Sequence, residues 1–201
     1  MSGVFIIGHA SFGILMSPSP YFTLPFLLMV AILQSAAAPR LQVSGARPDL
    51  MLLSVVSWSL LAAFRARELQ YAGEPPSLLR GINDGVVWGF IGGIFLDLLS
   101  TAPFGLSALA LMVAALVVGV FSVGVSSPGF MLVPLMAVTG TLVFHIVFLA
   151  GLTLTSRPVF WNAAVTGVIL PSVVFNLVLI PLVYGLLSLL NRQTSRERLQ
   201  W

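Results

Sequence analysis

No cysteine and no lysine occur anywhere in the chain, and only 7% of its residues carry charge. The first absence removes disulfides, thiol nucleophiles and zinc–thiolate sites together, and leaves the redox compartment unreadable. The second leaves nine basic residues that are all arginine, against six acidic ones, for a net charge of +3. These arginines lie between and after apolar runs rather than in one patch, so their counterpart is anionic lipid and not nucleic acid. The shortage of charge is the stronger constraint. Soluble chains are about a quarter charged, whereas 58% of this one is hydrophobic. Too little polar surface exists to coat a globule, so lipid must be the solvent. The remaining absences concern chemistry. There is no phosphate-binding P-loop, no pair of carboxylates at metal spacing and no basic-aromatic surface, so no cofactor, no metal and no nucleic-acid partner is expected.

What is present reads as an all-α membrane bundle. The length suffices for one domain of about six spans of roughly 20 residues. The spans are expected at 21–38, closed by Pro39 and Arg40; at 49–64, opened by "RPDL" and closed by Arg65 and Arg67; and at 84–100. "TAP" then turns into 103–124, "SSPG" into 130–152, and "TSRPVFWN" leads into 160–190, where Pro171 and Pro181 predict kinks. Residues 1–19 form an apolar extension that lacks the basic start of a signal peptide and whose longest clean apolar run is too short to span. Residues 20–192 make the membrane domain and 193–201 a basic tail, whose Arg192, Arg196 and Arg198 suit anionic headgroups. With both termini cytoplasmic, the inner side holds Arg65, Arg67, Arg80 and the three tail arginines, and the outer side only Arg40, Arg47 and Arg157. The positive-inside rule favours that orientation.

The most patterned stretch is "GVVWGFIGGIFLDLLSTAPFG", residues 85–105. Gly85, Gly89 and Gly93 recur four residues apart, on nearly one helix face. Such overlapping GxxxG steps let another helix approach backbone to backbone, inside the protein or outside it. The fourth span offers a mate, with Ala110 and Ala114 also four apart. Asp97 ends the ladder about 20 Å beyond Asp84 at 1.5 Å per residue, near the outer boundary. An ionised group at mid-bilayer costs roughly 2.5–3.5 kcal/mol, less towards the interface. Asp97 therefore needs a partner, faces water, or accepts from the free amides of the next helix near Phe104 and Gly105. Asp84 in "IND" and Asp49 behind Pro48 read as N-caps of their spans.

"RPDL" opening a short second span, followed by "WGFIGGIFLDLLSTAPFGLSALAL" over the third and fourth, resembles the rod-shape-determining MreD family. The matching positions are Pro48, Asp49, Gly89, Phe90, Gly93, Asp97, Leu98, Pro103, Gly105 and Ala108, and "RPVFWNAAVTGVILP" is similar to that family's last span. The resemblance implies a multi-pass protein of the bacterial inner membrane, with six spans folded like the S-components of energy-coupling-factor transporters. It implies a non-enzymatic scaffold of cell elongation and peptidoglycan synthesis. Its direct partner would be MreC, within a machinery that holds RodA and its penicillin-binding transpeptidase. On this reading Gly85, Gly89, Gly93, Asp97, Pro103, Gly105, Pro48 and Asp49 form the surface against which the partner packs.

Two rival functions remain. The implied S-component fold allows a small-molecule, vitamin-type binding subunit, with Gln34, His145 and Asn176 lining a pocket. Asn176 equally suits backbone freed by Pro171 or Pro181. An intramembrane serine protease would use Ser107 of "GLSAL" with His145 and Asp97 at similar depth. Rhomboid-type enzymes place glycine after their serine, and Ala108 stands there instead.

Overall fold

A computed structural model describes residues 20–37, 47–71, 78–125, 131–155 and 160–197. The extension 1–19, Arg40, Arg157, Arg198 and the "SSPG" turn lie outside the described residues. The described chain is helical: α1 (Pro20–Ala37), α2 (Leu50–Tyr71), α3 (Leu78–Leu98), α4 (Leu106–Gly124), α5 (Leu132–Leu154) and α6 (Trp161–Ala164), which passes through a π-helical turn (Val165–Ile169) into α7 (Leu170–Glu197). Among the described residues five helical stretches are long and apolar enough to cross a membrane, and Thr23–Ala36 of α1 adds a shorter apolar one. This is an all-α membrane protein.

Helix α2 is the axis of the bundle. It packs against α1, α3, α4, α5 and α7, and every residue from Met51 to Leu60 is buried. A helix buried on all sides can carry no charge there, and while Ser57 Oγ and Trp58 Nε1 stay without a hydrogen-bond partner, other polar residues satisfy themselves. Ser54 and Ser59 do so by donating to the carbonyls of Leu50 and Val55 one turn back, at 2.8 and 2.9 Å. Trp58 of α2 stacks on Trp88 of α3 with ring centroids 4.4 Å apart, and Phe26 of α1 leans on Trp88 at 5.8 Å.

Helix ends differ from the sequence reading for physical reasons. Helix α2 continues past Arg65 and Arg67 to Tyr71, because arginine and glutamate are good helix formers and leaving the apolar layer does not end a helix. Helix α3 begins at Leu78, so Asp84 lies in its seventh position and is not its N-cap. The extra turn is held by Gly81, where a Cβ would come within 2.8 Å of the Ala62 carbonyl of α2. The last span changes pitch before Pro171: the π-helical turn ends two residues ahead of it, at Ile169, and contains Gly167, whose carbonyl four residues back the ring would otherwise meet. Pro181 sits within continuous α7. Arg192 and Arg196 fall on the last turns of α7, so the helix carries the beginning of the tail.

Candidate functional site

The glycine ladder is spent inside the bundle. A Cβ on Gly85 would overlap the Ser59 hydroxyl of α2, one on Gly89 would lie 2.8 Å from the Leu111 carbonyl of α4, and one on Gly93 would overlap the Ala108 backbone. The fourth span is the mate for two of the three steps. The closest α4 atoms belong to Ser107, Ala108, Leu111 and Met112, while Ala110 and Ala114 join the buried core. Of the two uses left open for the glycine face, inside the protein or outside it, the structure selects the inside: α2 and α4 occupy it.

Asp97 completes that packing. Only 4% exposed, it reaches across the turn to the start of α4. Its Oδ2 accepts from the amides of Gly105 and Ala108 at 2.9 and 3.2 Å, and Oδ1 from Ser107 at 3.0 Å. The first amides of a helix lack intrahelical partners and carry the positive end of its dipole, so a carboxylate fits there. Gly105 holds φ 90° in the left-handed region, which glycine adopts without the usual Cβ cost. Pro103 precedes it, its carbonyl accepting from Leu106 at 3.2 Å. Of the roles open to Asp97, the structure selects the internal clamp.

The same end of the bundle contains a second polar centre. Gln34 near the end of α1 accepts the Met51 amide at 2.7 Å, so Gln34, not Asp49, holds this early amide of α2. The N–H of Asp49 donates to Asn176 Oδ1 of α7 at 3.2 Å, and Asn176 Nδ2 donates to Thr141 Oγ1 of α5 at 3.1 Å. Asn176 therefore ties α2 to α5 and α7, and does not serve backbone freed by the prolines. His145 Nδ1 lies 2.9 Å from the Thr141 carbonyl, while Nε2 faces Asp49 Oδ2 at 3.6 Å. That carboxylate oxygen is buried with no hydrogen-bond partner. Burial pushes the Asp49 carboxyl, one residue outside the α2 span, above the usual carboxylate range; His145 and then Asn176 oppose the shift.

A cavity of about 640 Å³ opens beside this centre, lined among others by Gln34, Arg47, Asp49, His145, Phe148 and Ser172. Gln34 and His145, expected as pocket residues, do line it, and Asn176 is fully buried. Their polarity inside apolar spans was a legible signal. Arg47, read from sequence only for topology, and Ser172 were missed. For Arg47 the signal was its place beside Pro48 and Asp49. Ser107 also lines the cavity, yet no Ser–His–Asp relay is assembled: Asp97 binds amides, and the carboxylate facing His145 is that of Asp49. No group of three metal-ligating side chains occurs among the described residues. No family model, no curated protein and no solved structure matches the chain.

Proposed function

We propose that the protein is an MreD-like, non-enzymatic scaffold of bacterial cell elongation, set in the inner membrane with six spans and both termini cytoplasmic. Its direct partner is the single-pass protein MreC, in a machinery with RodA and its transpeptidase. One observation carries the reading: the residues of α3, α4 and their turn that bear the resemblance form one unit. Gly89 and Gly93 press α3 onto α4, and Asp97 locks the turn between them through three amides. A clamped turn holds its outer surface still. It presents Leu98 at 66% and Phe104 at 69% exposure, which are the apolar contacts offered to a partner emerging on that side.

The test is detergent co-purification of the tagged chain with MreC from the same organism. Wild type is expected to retain the partner, and a Leu98→Ser, Phe104→Ser double variant to lose it at least about tenfold while remaining monodisperse. A folded, monodisperse wild type that retains no partner overturns the scaffold reading. The cavity favours a second reading, small-molecule binding, and mass spectrometry of a bound species tests it.

A further inference from the structure

The polar side chains at this end are turned to partners of their own, with one exception. A carbonyl oxygen only accepts, so His145 Nδ1, 2.9 Å from the Thr141 carbonyl, must carry a hydrogen. Its Nε2 faces Asp49 Oδ2 at 3.6 Å, so the Asp49 carboxyl is turned to the histidine. The Asp97 oxygens are turned to three α4 amides. Arg47 is exposed, lines the cavity and forms an ion pair with neither carboxylate.

The rest of the wall suits an apolar body. Phe144 and Phe148 stack with centroids 5.8 Å apart, and Leu96 and Val168 line the same space. Val168 belongs to the π-helical turn, a feature that recurs at functional sites. A volume near 640 Å³ falls within the range of about 300–1,000 Å³ common for small-molecule sites.

We propose that this cavity binds a small organic anion, its acidic head on Arg47 and its ring or single chain against Phe144 and Phe148. The inference stands apart from the scaffold reading, which uses Leu98 and Phe104, neither of which lines the cavity. One ligand chemistry has two sources here, a water-borne carboxylic acid or a single-chain phosphate amphiphile from the membrane.

The full chain in nanodiscs of zwitterionic lipid separates them. Fluorine NMR titration uses trifluoromethylbenzoate against its uncharged amide in one arm, and a fluorinated alkyl phosphate against its phosphocholine ester in the other. Saturable binding of an anion in either arm is expected, with its uncharged or zwitterionic counterpart at least about tenfold weaker; the arm that saturates names the source. Arg47→Gln should weaken the anion about tenfold and leave the counterpart unchanged. Val168→Trp, filling the space from the π-helical turn, should abolish saturation without moving the thermal midpoint. Equal binding of anion and counterpart, unchanged affinity in Arg47→Gln, or no saturation in either arm overturns the proposal.

Discussion

Two carboxylates at one end of this bundle live under opposite conditions. Asp97 spends both oxygens on three amides of α4. Asp49 keeps one buried oxygen without a hydrogen bond and faces a histidine at 3.6 Å. The surroundings differ in the same sense. Beside Asp97 glycines bring the α3 backbone against that of α4; Asp49 itself lines a cavity. In lipid an unpaired polar group has no water to fall back on, so the fully satisfied Asp97 acts as a joint, while the half-satisfied Asp49 beside its cavity is a place where something else can bind.

The sharpest way to break this contrast is Gly93→Leu. With the Ala108 backbone already inside Cβ range, the hairpin must part, at an expected cost above about 3 kcal/mol, enough to prevent recovery of monodisperse protein. A well-behaved Gly93→Leu protein would mean that α3 and α4 are not in backbone contact. Asp97→Ala comes next. It leaves three amides at the α4 start without their acceptor, and thermal unfolding in detergent should show a loss of about 3 kcal/mol; Asp97→Asn, which keeps an acceptor, should lose about half of that.

Gly105→Ala is predicted to cost about 1 kcal/mol. No atom lies within 4 Å of the new Cβ, so the whole effect is the left-handed φ. A larger loss in a thermal melt would point to crowding at the turn. The smallest effect sharpens the comparison most. Asp49→Asn removes a carboxylate whose Oδ2 had no hydrogen bond, so stability should change by less than about 1 kcal/mol. If Asp49→Asn proves as damaging as Asp97→Asn under the same melt, the distinction between joint and open site fails.

Much of this was visible in composition and spacing. Scarce charge and long apolar runs announce membrane helices, because no other backbone form spans lipid with its hydrogen bonds satisfied locally. The glycines at 85, 89 and 93 announce close packing, and an aspartate in apolar sequence announces a partner. Sequence periodicity is one-dimensional, however, and names no neighbour. Only the tertiary structure decided that α2 and α4 occupy the glycine face, that Asp97 turns inward to the amides at 105, 107 and 108, and that Asp84 lies within a helix that starts one and a half turns earlier. It also decided that Asp49 just ahead of α2, Thr141 and His145 of α5 and Asn176 of α7, separated by up to 127 positions, meet in one place. Helix formation depends on bonds four residues apart and is written locally. Where a side chain's partner lies depends on how finished helices pack, and no local pattern encodes that.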